Sequence, residues 1–381
     1  MILAGFCAFL QIYAPQPLLP LFTRIFAASE QRVSLTLSLA SLGVAIGAPL
    51  VGVLSDRLGR RRIIVWSAFL LGLVSLAAAT SQSLNQLLFW RFLQGLVTPG
   101  VFSTTITYIT EEWKTSAGAA VSAYVSGTVM GGFSSRMLAG LIAARLDWPW
   151  VFALLGLASI AGAFALRAWL PPETVHSKHE PSEPWLAAIA GHLRNPKLVA
   201  AYAVGFCVLF SMTGTFTYIT FHLAMPPFSL STAALGSIFI VYLVGAAVTP
   251  VMGRLIDLYG NRRILMASVT AGVVGIALTL VPNLWVIALG LAICSSGVFA
   301  SQTSASGYVG RTAERNRALA VGLYSSFYYI GGSMGAALPG YFWKWGGWAA
   351  CAACIALVQM VSIGIALIFW QEPGPELREP V

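Results

Sequence analysis

The chain has 381 residues, of which 57% are apolar and only 9% are charged. Soluble domains carry about 25% charged residues, so this chain cannot cover a water-facing surface. That excludes a soluble enzyme, a nucleic-acid binder and a disordered chain, and leaves a net charge of +9 to be explained by its placement.

A membrane helix needs about 20 mostly apolar residues, whereas barrel strands are short and alternate in polarity. The apolar runs here are long and continuous. They predict spans at 2–24, 33–54, 63–80, 84–110, 116–144, 149–170, 197–222, 232–254, 264–281, 284–309, 317–343 and 348–370. The expected fold is therefore an all-α integral membrane protein of twelve helices. The opening run Ile2–Leu10 has no basic stretch before it and no small-residue cleavage site after it. It reads as the first span and not as a signal peptide. A connector at 171–195, rich in Pro, Glu, His, Lys and Ser, separates six spans from six. The predicted domains are a six-helix bundle over 1–170, a cytoplasmic linker over 171–195, and a second bundle with a short tail over 196–381.

Basic loops orient the helices. With the N-terminus in the cytoplasm, the inner loops hold 16 Lys and Arg residues and the outer loops hold 4, with Arg91 and Arg136 left inside spans. Arg57, Arg60, Arg61, Arg62, Arg262 and Arg263 lead the inner set. Both termini are expected on the cytoplasmic side of a bacterial-type inner membrane.

The halves repeat. At an offset of 201, Pro49, Gly52, Asp56, Gly59 and Arg61–Arg62–Ile63 fall on Pro250, Gly253, Asp257, Gly260 and Arg262–Arg263–Ile264. At an offset of 200, Tyr124, Gly131–Gly132, Gly140 and Trp148 fall on Tyr324, Gly331–Gly332, Gly340 and Trp348. Parallel repeats of this kind build transporters whose substrate site lies between the repeats near the membrane midplane.

The loop Gly52-Val-Leu-Ser-Asp56-Arg57-Leu-Gly59-Arg60-Arg61-Arg62 joins spans two and three, and Gly253-Arg-Leu-Ile-Asp257-Leu-Tyr-Gly260-Asn-Arg262-Arg263 joins spans eight and nine. Both resemble the G-x-L-x-D-R-x-G-R-R loop of the major facilitator superfamily. Leu258 and Asn261 depart from the pattern where Arg57 and Arg60 keep it. The resemblance covers almost the whole chain and implies two pseudo-symmetric six-helix bundles. It also implies that Gly52, Asp56, Arg57, Gly59, Arg60, Arg61 and Asp257 form a conformational latch, in which Glu111 and Glu112 are candidate partners for the arginines. Gly52 would let helices approach closely and Gly59 would permit a tight turn. The alternative for Arg60 to Arg62 is that they only anchor topology.

Arg91-Phe-Leu-Gln94-Gly95 resembles the family's R-x-x-Q-G motif, which implies proton coupling or a cavity position. A charge in the hydrocarbon costs several kcal/mol, so Arg91 must face protein, a wet cavity or the outer headgroups. Gly127, Gly131 and Gly132 make a close-packing stripe in span five, similar to the glycine motif of antiporters but without its proline. Arg136 follows on the same span and either binds substrate or is a fixed structural charge. The remaining cavity candidates are Gln11, Tyr13, Gln94, Tyr124, Thr215, Tyr218, Ser296, Gln302, Tyr324 and Tyr328, with Pro15, Pro17 and Pro20 breaking span one.

The C-x-x-C of Cys351 and Cys354 lies in an apolar run and reads as packing. His176 and His179 near Glu173 and Glu180 read as a solvated linker. No P-loop, nucleophile elbow or H-E-x-x-H occurs, so neither ATP hydrolysis nor another enzyme activity is expected, and no cofactor or metal. The branch of the family that the chain resembles is the twelve-helix drug/proton antiporter and sugar-efflux-like one. It implies a monomer in the lipid bilayer that exports a small molecule by alternating access, with protons as the coupling ion. No Asp, Glu or His lies near the middle of a span, which leaves an uncoupled facilitator or an anion carrier as the alternative. A non-transporting receptor or scaffold is the alternative of another class, disfavoured because an anchor need not bear polar, interrupted helices.

Overall fold

The computed structural model describes residues 1–113, 117–173, 185–313 and 316–370. Lys114, Arg315, most of the connector with His176, His179 and Glu180, and the tail from 371 lie outside the described residues.

The described helices group into twelve spans. Span one is interrupted: helix Ile2–Phe9, a short 3-10 turn Gln16–Leu18, then helix Leu19–Ile25. Pro15, Pro17 and Pro20 cause this, because proline lacks the N–H and crowds the preceding turn. Span two is Glu30–Leu58, capped by the Ser29 hydroxyl, and span three is Arg60–Ala79. Span four was expected as one helix. It is two, Leu84–Val97 and Pro99–Glu112, because Pro99 cannot donate into the preceding turn. Spans five and six are Ala117–Arg145 and Pro149–Trp169. The connector is not all irregular: it contains a helix, Trp185–Arg194.

Span seven is Pro196–Ala224, capped by Asn195. Span eight runs through Thr232–Ser237, a 3-10 turn and Val241–Tyr259, and spans nine and ten are Asn261–Leu278 and Leu284–Thr312. Span eleven, Arg317–Ala337, ends six residues before the expected 343 because Pro339 opens the next helix. Span twelve, Pro339–Phe369, is kinked where Gly346 and Gly347 leave helical geometry. Eight of the spans are long and apolar enough to cross a bilayer by that criterion alone. The other four are the interrupted spans one and four and the glycine-bearing spans five and eleven.

The repeat is visible in contacts. Arg61 donates to the Arg167 carbonyl at 2.7 Å, and Arg262 donates to the Leu367 carbonyl at 3.1 Å. Gly131 packs on the Phe6 carbonyl as Gly331 packs on the Phe206 carbonyl. Gly59 and Gly260 both turn the chain with positive φ, at 91° and 88°, a conformation that costs an L side chain energy. The fold is thus an all-α membrane protein of two pseudo-symmetric bundles.

The bundles meet chiefly through spans two, five, eight and eleven, and they do so unevenly. On the face remote from the basic loops, Ser38 and Ser333 hydroxyls lie 2.9 Å apart across the halves. There too Gly140 and Gly236 pack backbone to backbone, and Gly340 meets the Gln31 side chain. Toward the basic loops the same four helices are open: a Cβ placed at Gly52, Gly118, Gly253 or Gly322 would meet nothing within 4 Å. Gly52 therefore faces open space in this conformation, because its side of the interface is splayed apart.

Candidate functional site

Arg136 lies where the open and closed ends meet. Span five carries it inward, and the residue is 2% exposed. Nε donates to Gln16 Oε1 and Nη1 to the Gly132 carbonyl, each at 2.5 Å. Three rings enclose it: Tyr13 at 4.4 Å, Tyr242 at 4.5 Å and Phe239 at 5.0 Å from the guanidinium carbon. Tyr13 comes from the first half and the other two from span eight of the second. A desolvated cation–π contact is worth about 2 kcal/mol or more, so the rings replace part of the lost hydration. They do not replace all of it, because Nη2 makes no well-formed hydrogen bond among the described residues.

Further rings extend from this box. Phe9 stacks near Tyr13, Phe102 meets Phe9 edge-on, and Tyr329 meets Phe102. Tyr328 contacts Tyr329 and Tyr324, and its hydroxyl bonds Gln302 Oε1 at 3.0 Å. Gln302, Phe9 and Phe102 are partly exposed, so this aromatic shell reaches open space. Of the sequence-derived cavity residues, Tyr13, Arg136, Gln302, Tyr324 and Tyr328 therefore gather here.

The others lie elsewhere. Arg91 is fully buried and neither snorkels nor borders a cavity in this conformation. It donates to the carbonyls of Thr36 and Gln11, both at 3.1 Å, and to the Ile12 carbonyl and Gln94 Oε1. Arg91 thus binds the carbonyls freed where span one breaks, and joins spans one, two and four. Gln11 is tied to Ser159 and Ser75 at 2.9 Å each, inside the first bundle. Tyr124 bonds the Phe102 carbonyl at 3.0 Å. Tyr218 bonds the Ala336 carbonyl at 2.8 Å, near the closed face. Thr215 is buried in span seven, and Ser296 back-bonds to the Ala292 carbonyl of its own helix. Phe239 and Tyr242 were not singled out in the sequence. They sit in an apolar run whose repeat counterparts, Ser38 and Ser41, are no guide to them.

At the basic loops, Arg60 is the hub. It bonds Glu111 with both Nε and Nη2, the second at 2.7 Å, and its Nη1 lies 3.0 Å from Asp56 Oδ1. Glu111 is thus a partner for one of the loop arginines, as expected. Arg61 caps its own helix start differently: its backbone N–H bonds the Glu173 carboxylate. Arg57 and Asp257 are exposed. In the second half the equivalent contact has changed chemistry: Arg311, at the position of Glu111, donates to Asn261, at the position of Arg60. Among the described residues no cluster of three metal-ligating side chains occurs.

Two repeated helical bundles, joined on one face and parted on the other around a polar centre, define a multi-pass membrane carrier. The family pattern described as Major Facilitator Superfamily matches residues 1–248 and 221–380. The uncharacterized MFS-type transporter YybF of Bacillus subtilis (strain 168) is 33% identical over 96% of this chain and 90% of its own length. An uncharacterized transporter of Buchnera aphidicola subsp. Schizaphis graminum is 32% identical over 96% of this chain and 89% of its own. A crystal structure of the nucleoside transporter NupG superposes with a TM-score of 0.79 over 97% of this chain and 98% of that one, at 14% identity, which speaks for the fold alone. The chain belongs to the Major Facilitator Superfamily, and its role is membrane transport.

Proposed function

We propose that this protein is a secondary transporter that exports small organic molecules across a bacterial inner membrane by alternating access, in exchange for protons. The observation that carries this reading is the uneven closure of the bundles. Ser38 and Ser333 touch across the halves on one face, while Gly52 and Gly253 stand in open space toward the other. A centre lined by Tyr13, Arg136, Gln302, Tyr324 and Tyr328 lies between those ends. The excess of Lys and Arg in the loops at the open face supports a cytoplasmic position for that face and for both termini. The two bundles of one chain complete the pathway, so a monomer suffices.

The proton sites in this proposal are the boundary carboxylates Asp56, Glu111 and Glu112, of which the first two pair with Arg60. Their protonation weakens the cluster and biases the equilibrium between the two conformations. A second reading, an uncoupled facilitator, draws on the fact that no Asp, Glu or His lies near the middle of a span.

Reconstituted liposomes decide between them. Efflux of a labelled substrate is measured with and without a pH gradient, beside substrate counterflow. Proton-coupled export predicts acceleration by the gradient and at least one of Asp56→Asn, Glu111→Gln and Glu112→Gln that keeps counterflow but loses the acceleration. Flux indifferent to pH in the wild type favours the facilitator. Absence of any flux across a broad substrate panel removes the transport reading of this site.

A further inference from the structure

We propose that Arg136 Nη2 is the docking point for the anionic group of the transported molecule, and that this molecule is an organic monoanion with a flat apolar or aromatic body, a carboxylate in the first instance. The proposal rests on the transport reading above and names the substrate class of the same site.

Three observations converge on it. Arg136 is almost wholly buried, yet Nη2 makes no well-formed hydrogen bond among the described residues, and the polar group beside the guanidinium from the second half is the neutral Tyr242 hydroxyl. A buried guanidinium that leaves donors unused is unfavourable until an acceptor arrives, and charge-assisted bonds to a planar carboxylate suit its geometry. The neutral partners Gln16 and the Gly132 carbonyl leave its charge uncancelled. One added negative charge balances it, whereas a dianion carries one charge too many into an apolar box and a cation is repelled. Finally, the surroundings are rings. Tyr13, Phe9, Phe102 and Tyr329 run continuously from the guanidinium to partly exposed space, giving a planar apolar body surfaces on which to stack.

The box also explains how binding would be felt by the whole molecule. Arg136 belongs to the first half and two of its three rings to the second. An anion that takes over Nη2 competes with those rings for the guanidinium, and so loosens one of the contacts that hold the halves together on the closed face. Occupancy of the site and release of that face are then the same event.

The test uses the full chain, purified in lipid nanodiscs, with benzoate and 2-naphthoate as probes. Benzyl alcohol, benzylamine and phenyl phosphate serve as neutral, cationic and dianionic comparators. Binding is read by intrinsic tryptophan fluorescence and by ligand-induced thermal stabilisation. The expected result is saturable binding of the carboxylates, tighter for 2-naphthoate, with each comparator at least tenfold weaker. Arg136→Gln is expected to weaken carboxylate binding at least tenfold and to erase the preference for benzoate over benzyl alcohol. Arg136→Lys, which keeps the charge without the planar fork, should fall between them. Should Arg136→Gln fail to fold, the wild-type panel alone still decides. Benzylamine or benzyl alcohol binding as tightly as the carboxylates overturns the proposal, as does no carboxylate binding, or undiminished binding in Arg136→Gln. Labelling of Gly52→Cys by an impermeant maleimide reports alternation independently. Carboxylate binding without any alternation removes the transport reading and leaves this site standing. Alternation and flux of neutral compounds without carboxylate binding do the reverse.

Discussion

Arg60 and Glu111 are joined by two hydrogen bonds, one from Nε and one from Nη2 at 2.7 Å, although 51 residues separate them in the chain. The pair ties the start of span three to the end of span four. It is half-sheltered, and Asp56 reaches it from the end of span two. Three helices of one bundle are therefore fastened at the basic face by a single guanidinium. The second bundle uses Arg311 and Asn261 instead, so its fastening carries no carboxylate in this pair.

Asp56 separates stability from function. Its side chain is 57% exposed, and an exposed ion pair contributes only about 0–1 kcal/mol. Asp56→Asn should therefore leave the melting temperature of the purified protein close to wild type. If Asp56 acts in the other conformation of the cycle, flux in liposomes should nonetheless fall by at least tenfold. Wild-type flux in this variant removes the latch role.

The closed face can be locked. Ser38 and Ser333 hydroxyls are 2.9 Å apart, so cysteines at both positions are close enough to form a disulfide after oxidation. The five natural cysteines are buried and offer little competition. Oxidised Ser38→Cys/Ser333→Cys should lose transport and regain it with reductant, while either single variant stays active. Full activity in the cross-linked protein would falsify alternation at this interface.

Two glycines should respond in opposite ways. A side chain at Gly131 strikes the Phe6 carbonyl, and overpacking of this kind costs about 1–3 kcal/mol. Gly131→Leu should lower thermal stability and yield. Gly52 faces open space, so Gly52→Leu should fold normally. Closure of the basic face then meets the added side chain, and the variant should stay accessible to impermeant thiol reagents from that side and transport poorly. Equal stability losses in both would show that Gly52 is already packed.

Arg91 should behave as a fastener. Its guanidinium holds three carbonyls of spans one and two, and hydrogen bonds to a charged group are worth about 1.5–3 kcal/mol each. Arg91→Gln should sharply reduce folded protein in a size-exclusion profile. Whatever folds should keep the wild-type order of preference among the anionic, neutral and cationic probes. A changed order at normal yield places Arg91 in contact with substrate.

Much of the architecture is legible in the sequence. Pro15, Pro17 and Pro20 announced the break in span one, and the paired Gly59 and Gly260 turns announced the repeat. These are local effects of missing N–H groups and positive φ, and they act whatever surrounds them. Span four reads as continuous in the sequence because one Pro99 in a long apolar run carries little weight against the apolar pattern around it. The Arg60–Glu111 contact was legible as charge complementarity, but the distance in sequence said nothing of its geometry.

What the sequence by itself determined is the number of spans, their polarity pattern, the two-fold repeat and the placement of charge at the loops. Each follows from the cost of exposing polar backbone or charge to hydrocarbon, which acts on every residue singly. Only the tertiary structure decided which polar residues share a site. Gln11, Arg91 and Gln94 looked as suited to a cavity as Tyr13 and Arg136, yet they close on one another within one bundle. The rings that complete the Arg136 box, Phe239 and Tyr242, come from the other half of the chain. Lipid tails and a packed helix interface are equally apolar, so hydropathy cannot tell which face of a helix meets protein. That choice is made only when the two bundles meet.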